Sequence, residues 1–295
     1  MTTRPPELPT APRRDDDAHK GSFGHLLLVA GSRNMSGAAR LSGLAALRGG
    51  VGLLTIATPR SAQSIVAMQN PAWMTLPLDE ADDGLAGGVA EQIETAWRGK
   101  HALALGPGLG QVATTQQAIR QIYATCPLPM VLDADGLNAF AQDPSQLATR
   151  AEDAPRILTP HPGELARLLD CDVQQIQQDR AAVAERFARE HRVTLLLKGP
   201  ATIITDGRRQ CVNRTGNSGL ARGGTGDVLT GLIGALLAQG MSPLDAGVLG
   251  AHLQGAAGDI AAQRYTKEAM LVTELLDCLP EAWRSVLESQ ADRSS

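Results

Sequence analysis

The residues best suited to chemistry lie in a glycine-rich turn that ends at Asp227. The turn consists of Gly223, Gly224, Thr225 and Gly226, and an apolar helical pattern begins directly after Asp227. Glycines let the backbone point its N–H groups at a ligand, and a helix N-terminus adds partial positive charge, so the turn predicts a phosphate site. A carboxylate there can accept the proton of a hydroxyl group that attacks a bound phosphoryl group. The alternative is that the glycines only permit a tight turn and that Asp227 caps the helix.

A second polar segment, TPHPGE at residues 159–164, contains His161 and Glu164 after another apolar run. Glu164 could position a hydrated Mg²⁺, which needs only one or two carboxylates when phosphates complete its coordination shell. His161 could contact a substrate. The alternatives are that Glu164 interacts with the dipole of a following helix and that His161 is a hydrogen-bonded turn residue.

Three segments of small residues leave room for a ligand close to the backbone. KGPAT at residues 198–202 could line a nucleotide pocket, GPGLG at 106–110 permits a ligand to press on the main chain, and residues 36–39 could accommodate a ring or a ribose. The alternatives are a hairpin entry with a solvated lysine, a strand-to-helix turn and close packing of a helix, respectively.

The segment DADGLN adds polar side chains after a further apolar run. Asp133, Asp135 and Asn138 could hold metal-bound water or substrate hydroxyls. The alternative is an Asx turn with a helix cap, which is a common use of these residues.

Five segments directly follow short apolar runs that predict buried strands, namely GSRNMSGA, GPGLG, DADGLN, TPHPGE and KGPAT. The predicted strands cover residues 25–30, 51–57, 101–105, 130–132, 156–158, 193–197 and 202–205, and helical patterns cover 38–47, a stretch from about 114, 228–239, 243–264 and 271–288. Alternating strands and helices predict an α/β protein whose mostly parallel sheet is covered on both faces. Ligands bind at the carboxyl ends of the strands in such sheets, so we expect the five segments to converge on one crevice.

Composition and absent motifs narrow the function. The 295 residues carry a formal net charge of −4, which gives no electrostatic reason to expect nucleic acid or an anionic membrane surface as a partner. The four cysteines form no C-x-x-C pair, no apolar run approaches the length of a membrane span, and no signal peptide is visible, so we expect a cytoplasmic enzyme. The sequence lacks the P-loop, the dinucleotide-binding G-x-G-x-x-G after the first strand, H-E-x-x-H and G-x-S-x-G.

Several motifs in a fixed order resemble the ADP/ATP-dependent NAD(P)H-hydrate dehydratase family of the ribokinase-like superfamily. They are HKGSFG, VAGSRNMSGAA, ALGPGLG, VLDADGLN, LTPHPGE, LLKGPATII and GNSGLARGGTGDVLTG, and the resemblance extends from about residue 19 to at least residue 255. GGTGD by itself would indicate only the superfamily. The resemblance implies a single ribokinase-like domain at residues 19–290, a three-layer α/β/α sandwich around a mostly parallel central sheet. Composition predicts disordered tails at 1–18 and 291–295.

The resemblance also implies roles for individual residues. Asp227 would deprotonate the substrate hydroxyl, and Glu164 would serve the metal. The phosphoryl group would be held by Gly224, Thr225 and Gly226. The nucleotide would contact Lys198, Gly199, Pro200, Ala201, Thr202 and Gly226. The hydrated dinucleotide would contact Ala38, Gly108, His161 and Asp227.

The implied reaction repairs NADH or NADPH that carries water at C6 of the nicotinamide ring, in the S epimer. ADP (or ATP) would phosphorylate the C6 hydroxyl with Mg²⁺ present, and the ring nitrogen would then expel phosphate. The resemblance further implies a homo-oligomer, with a tetramer favoured. Since only about twenty residues precede the first motif, epimerase activity is not expected. The alternatives are a ribokinase-like kinase of a vitamin precursor, which would use the same Asp227, and a non-catalytic nucleotide-binding regulator.

Overall fold

The apolar runs form the strands of a central sheet in the computed structural model, which describes residues 8–81, 84–151 and 154–294. The strands are β1 (His25–Val29), β2 (Leu53–Pro59), β3 (Met74–Leu78), β4 (Glu80–Ala81), β5 (Gly84–Leu85), β6 (Ala102–Leu105), β7 (Met130–Leu132), β8 (Arg156–Leu158), β9 (Thr194–Leu197), β10 (Thr202–Thr205) and β11 (Gln210–Asn213).

The helices follow the strands in the alternation that the sequence predicts. They are α1 (Ser36–Arg48), α2 (Arg60–Ala67), α3 (Val89–Ala96), α4 (Ala113–Thr125), α5 (Asp135–Asn138), α6 (Pro162–Leu168), α7 (Val173–Gln178), α8 (Arg180–His191), α9 (Thr225–Ala238), α10 (Pro243–Ala269) and α11 (Val272–Ser294). Short 3₁₀ helices cover Lys20–Phe23, Pro144–Ala148 and Ser218–Leu220.

Within the described residues, nine strands form one sheet in the order β11-β10-β9-β8-β7-β6-β1-β2-β3. In this order, the strands from β9 through β1 to β3 run parallel to one another. Strand β10 is antiparallel to both β9 and β11, and the β10–β11 hairpin closes one edge of the sheet. The mostly parallel sheet that the sequence predicts is therefore confirmed. The edge strand β3 was not predicted, because its sequence MTLPL is only partly buried and contains a proline.

Alternate residues of the central strands enter two separate cores. Leu26 and Leu28 pack with buried residues of α1, α9, α10 and α11, whereas Leu27 and Val29 pack with those of α3, α4, α6 and α8. Successive side chains of a strand point to opposite faces, so a strand that is apolar throughout must be covered on both. The three-layer α/β/α sandwich is thus confirmed. None of the helices in the described part of the chain is long and apolar enough to span a membrane.

The chain ends differ from the predicted tails where the structure describes them. Residues 1–7 and 295 lie outside the described residues, but the segment from residue 8 onward contacts the core. Ala11 is buried and donates its N–H to Gln290 Oε1 at 3.1 Å, and Arg14 stacks 3.7 Å above the ring of Phe23. Helix α11 continues to Ser294. The polar composition of these segments does not reveal that Leu8 and Ala11 meet an apolar surface.

Candidate active site

The loops that follow five parallel strands meet at one edge of the sheet, as the sequence predicts. Gly31 after β1 donates its N–H to Pro107 O after β6 at 2.7 Å. Lys198 after β9 donates its N–H to Pro160 O after β8 at 2.9 Å, and its Nζ lies 2.9 Å from Asp133 Oδ1 after β7. Gly110 after β6 donates its N–H to Asp135 Oδ2 after β7 at 2.9 Å, which links the two groups of loops. These contacts join all five loops, so the expected convergence is confirmed.

The glycine-rich turn enters α9 without a side chain at its cap. Gly224 is the N-cap, with a left-handed φ of 91° that favours glycine, and no side chain among the described residues accepts from the first turn as a cap. Asp227 is the third residue of the helix, so the alternative that it caps α9 is wrong. Thr225 Oγ1 donates to Leu220 O at 3.0 Å and to Arg222 O at 2.8 Å, which fixes the turn. Backbone N–H groups are thereby left at a positive helix end.

Asp227 is a stronger base than an ordinary carboxylate. Its pKa is raised from 3.8 to about 7, first because burial disfavours the charged form and next because of the charge of Asp133. Asp135 adds to this shift, while the ammonium of Lys198 opposes it. A carboxyl group that titrates near neutral pH is well matched to accepting a proton from a hydroxyl.

Lys198 and Asp133 form a buried ion pair beneath the turn. Asp133 accepts from Lys198 Nζ at 2.9 Å and from Thr230 Oγ1 at 2.8 Å, and Glu164 Oε2 lies 3.5 Å from the same Nζ. Burial by itself would lower the pKa of Lys198, but the two carboxylates raise it overall. Lys198 is therefore a charged, paired lysine and not the solvated lysine of the alternative interpretation.

His161 and Glu164 form a reciprocal cap at the start of α6. His161 Nδ1 accepts from the N–H groups of Gly163 at 3.0 Å and Glu164 at 3.3 Å, and Glu164 Oε2 accepts from His161 N at 2.8 Å. Burial is the main cause that lowers the pKa of His161, although Glu164 opposes it. Because Nδ1 acts as an acceptor, the ring is neutral and carries its proton on Nε2. Both residues therefore act at the start of α6, as the alternative interpretation of each predicted. The Nε2–H group of His161 lies 3.6 Å from Glu164 Oε1 and remains available as a donor.

The described residues contain no group of three or more His, Cys, Asp or Glu side chains that could hold a metal ion. Glu164, the residue predicted to serve Mg²⁺, already accepts a backbone N–H and lies next to the Lys198 ammonium. The residues therefore fit a magnesium ion only if water and nucleotide phosphates supply most of its coordination shell.

Asp135 holds the GPGLG loop, which is a structural use of this carboxylate. It accepts from Gly110 N at 2.9 Å, from the Gln111 side chain at 3.2 Å and from the Asn138 side chain at 3.3 Å. Asn138 in turn accepts from Arg167. The predicted helix cap is therefore absent, because the N-cap of α5 is Ala134 and no side chain among the described residues caps this helix.

Two of the positions predicted to contact the dinucleotide lie against each other. Gly108 has a left-handed φ of 67°, and a Cβ there would come within 2.8 Å of Ala38 Cβ and 3.0 Å of Met35 O. A side chain at residue 108 has no room, so the backbone is the surface that a ligand would meet.

A cavity of about 590 Å³ lies next to the turn. Its lining includes all six residues predicted to contact the nucleotide, namely Lys198, Gly199, Pro200, Ala201, Thr202 and Gly226. Thr225 and the apolar side chains of Leu220 and Leu229 also line it. Ala38, Gly108, His161 and Asp227 are not among the lining residues, so the positions predicted for the dinucleotide lie outside this cavity.

Sequence reasoning missed part of this lining. Asn213, Thr215, Asn217 and Gln254 face the cavity, and Gln254 Nε2 donates to Thr225 O at 2.5 Å. The glycines that flank Asn217 in the sequence GNSG could have indicated that this residue lies close to a ligand. Gln254 lies within the long helical pattern of α10, where nothing in the sequence distinguishes it from a solvent-facing residue.

Comparisons with family models and with known proteins point to the same family. A family model described as NAD(P)H-hydrate dehydratase matches residues 26–281. A bifunctional NAD(P)H-hydrate repair enzyme from Moorella thermoacetica is 43% identical over 94% of this chain and 52% of its own length. An ADP-dependent (S)-NAD(P)H-hydrate dehydratase from Bacillus subtilis is 37% identical over 93% of this chain and 94% of its own length.

A crystal structure of the ADP/ATP-dependent NAD(P)H-hydrate dehydratase from Bacillus subtilis, co-crystallised with ATP/Mg²⁺, has the same fold. It aligns with a TM-score of 0.77 at 32% identity and covers 93% of this chain and 94% of that one. The ribokinase-like architecture predicted from the sequence is thus confirmed. The chain spans about half the length of the bifunctional relative that it matches.

Proposed function

The chain belongs to the NAD(P)H-hydrate dehydratase family, and on that premise we propose that it catalyses the ADP-dependent dehydration of hydrated NADH and NADPH. The substrate would be the S epimer, and the products would be NAD(P)H, AMP and phosphate. One observation carries the proposal. The cavity of about 590 Å³ is lined in part by Thr225 and Gly226, which belong to the same helical turn as Asp227, whose pKa is raised to about 7.

In this proposal the nucleotide binds inside the cavity and the hydrated dinucleotide binds outside it. ADP would occupy the cavity along residues 198–202, with its β-phosphoryl group at the N–H groups of Gly224, Thr225 and Gly226. The hydrated dinucleotide would lie against Ala38 and Gly108, within reach of His161. The close contact of Gly108 with Ala38 supports this placement.

Phosphoryl transfer comes first because hydroxide is a poor leaving group. Asp227 would take the proton of the C6 hydroxyl as its oxygen attacks the β-phosphorus of ADP, and the bond from that phosphorus to the bridging oxygen would break to release AMP. The N–H groups of the α9 turn would stabilise the charge that develops on the phosphoryl oxygens.

Elimination completes the repair. The lone pair of the ring nitrogen would expel phosphate as the C6–O bond breaks, and loss of a proton from C5 would restore the dihydropyridine ring. Transferring the phosphoryl group would thus turn the C6 oxygen into part of a good leaving group.

Mg²⁺ belongs to the proposal as an ion that neutralises phosphate charge when it is bound. Glu164 would hold it through water, because one of its oxygens accepts the N–H of His161. We also propose that the protein is a cytoplasmic homotetramer. Light scattering tests the assembly, and cell fractionation tests the location.

The decisive experiment incubates the protein with hydrated NADH and either ADP or ATP, and follows the absorbance of the reduced nicotinamide. Recovery of NADH with stoichiometric AMP from ADP supports the proposal. Phosphorylation of a vitamin precursor such as hydroxyethylthiazole, without NADH recovery, would indicate the ribokinase-like kinase instead. No recovery with either nucleotide would exclude the dehydratase.

A further inference from the structure

Helix α10 contains a strained residue near its end. Thr266 has φ 66° and ψ 159°, while the residues on either side are helical. A β-branched side chain is rarely found in this region, which glycine occupies almost exclusively, and the strain costs on the order of 1–3 kcal/mol. Such a conformation persists only where surrounding contacts hold it in place.

Arg222 contacts the residues that follow Thr266, and it does so from the loop that leads into the glycine-rich turn. Its Nη2 donates to Lys267 O at 2.8 Å and to Glu268 O at 3.4 Å, and its Nη1 donates to Met270 O. We call residues 266–270 the α10 break. One guanidinium thus binds three carbonyl groups of the break, which α10 cannot satisfy because it ends there.

The same guanidinium also binds its own loop. Arg222 Nε donates to Gly219 O at 2.7 Å, and Arg222 O accepts from Thr225 Oγ1 at 2.8 Å. Gly219 packs so closely on the break that a Cβ there would lie 2.5 Å from Met270 Sδ. The loop at residues 218–222 is therefore fastened to the α10 break two residues before Gly224.

We propose that Arg222 is a positioning residue, which docks this loop on the α10 break and so holds the N–H groups of Gly224, Thr225 and Gly226, with Asp227, in the geometry for phosphoryl transfer. The inference rests on the proposed function. A misplacement of about 1 Å in a catalytic constellation can cost about 10²-fold in rate, even when the altered residue touches no substrate. Arg222 would therefore affect the rate through the position of the turn.

The planar guanidinium suits this task because its donors point in fixed directions toward several acceptors at once. A lysine at the same position would carry the charge but could not bind the break and Gly219 in the same geometry. Arg222→Lys should therefore recover only part of what Arg222→Gln loses.

The test compares Arg222→Gln and Arg222→Lys with Arg264→Gln. Arg264 pairs with Glu281 and also joins α10 to α11, but it makes no contact with the glycine-rich turn. We expect Arg222→Gln to lower kcat about 10²-fold with KM values within a few-fold of wild type. The kcat of Arg222→Lys should lie between those of wild type and Arg222→Gln, and Arg264→Gln should keep the wild-type kcat.

Hydrogen exchange of the substrate-free protein supplies a readout that does not depend on turnover. We expect faster exchange at residues 223–227 in both Arg222 variants and wild-type exchange there in Arg264→Gln. Unchanged exchange in this segment, or a kcat for Arg222→Gln equal to that of Arg264→Gln, overturns the inference. If Arg222→Gln does not fold, the same two readouts on Arg222→Lys decide.

Failure of the proposed function is recognised separately. If the wild-type protein does not dehydrate hydrated NADH, the proposed reaction is wrong, while the exchange comparison still tells whether Arg222 holds the turn. If the wild type is active and the exchange at residues 223–227 is unaffected by either Arg222 variant, only the positioning role is wrong.

Discussion

Lys198 Nζ lies 2.9 Å from Asp133 Oδ1, in an ion pair at the wall of the 590 Å³ cavity. Asp133 raises the pKa of Asp227, whereas Lys198 lowers it, so the pair adjusts the basicity of the proposed base from both directions. Lys198 itself lines the cavity. A change at either residue should therefore alter nucleotide binding, proton transfer or stability in distinguishable ways.

Asp227→Asn should lower kcat by roughly 10³-fold or more, because an amide cannot accept the hydroxyl proton. Binding of ADP should stay within a few-fold of wild type, because the cavity lining does not include Asp227. Steady-state kinetics and calorimetric titration with ADP check both expectations. The control is Asp277→Asn, which removes an exposed carboxylate that pairs with Arg48 on the surface. Parallel losses of binding and turnover would contradict a base role.

The pH profile should show an acidic limb. Since Asp227 accepts a proton only when ionised and its pKa is about 7, kcat/KM should rise with pH up to about 7 and then level off. Asp133→Asn removes a charge that raises this pKa, so the limb should move to lower pH. The profile of Asp277→Asn should not move. A limb that stays in place in Asp133→Asn would show that Asp133 does not influence the base.

The same carboxyl group should make stability depend on pH. The pKa of Asp227 is raised from 3.8 to about 7 in the folded state, so the folded protein holds this proton more tightly than the unfolded chain does. The resulting stabilisation is fully present below about pH 4 and is lost as the pH rises through about 7. Asp227→Asn does not ionise, and should therefore be more stable than wild type at pH 8 by up to a few kcal/mol, at about 1.4 kcal/mol per unit. Urea unfolding at pH 8 and at pH 4 measures the difference. An equal effect at both pH values would contradict the raised pKa.

Lys198→Met should destabilise the protein by about 3–5 kcal/mol, because it leaves the buried Asp133 and Glu164 carboxylates without their cation. The double variant Lys198→Met with Asp133→Asn should recover part of this loss, since one uncompensated charge is removed. Chemical denaturation of the four proteins in the cycle gives the coupling energy. Additive losses would mean that the ion pair contributes no coupling to the folded state.

Gly226→Ala should weaken ADP binding while leaving the fold intact. A Cβ there would lie 3.4 Å from both Asp133 Oδ2 and Lys198 Nζ, which is ordinary contact, but it would occupy space at the end of the cavity. We expect the KM for ADP to rise at least about tenfold, which corresponds to about 1.4 kcal/mol of lost binding. Gly87→Ala is the matched control, because a Cβ at Gly87 meets nothing within 4 Å. A Gly226→Ala enzyme with wild-type KM would place the nucleotide elsewhere.

The sequence predicted the architecture because strand and helix patterns are local properties of the chain. Completely apolar runs such as LLLV at residues 26–29 require cover on both faces, which predicts helices above and below a parallel sheet. The same reasoning failed for β3, whose residues lie at the edge of the sheet and carry no such pattern. It also failed for residues 8–18, whose few apolar side chains are recognisable as buried only once their partners are known.

The candidate site was predictable as a set of segments but not as a set of interactions. Small or polar residues directly after five apolar runs were enough to predict that the loops after β1, β6, β7, β8 and β9 meet. The reason is that the carboxyl ends of parallel strands share one edge of the sheet. Which side chains would pair there depended on distances between residues far apart in the chain. Asp133 and Lys198 are 65 residues apart, and Arg222 reaches 45 residues forward to Lys267.

The sequence by itself therefore determined the fold class, the family and the position of the glycine-rich turn that ends at Asp227. The tertiary structure decided that the pKa of this carboxyl group is about 7, that Lys198 is paired and that Arg222 binds carbonyl groups at the end of α10. The physical reason is that burial and charge–charge distance, which set a pKa and an ion pair, exist only once the chain has folded.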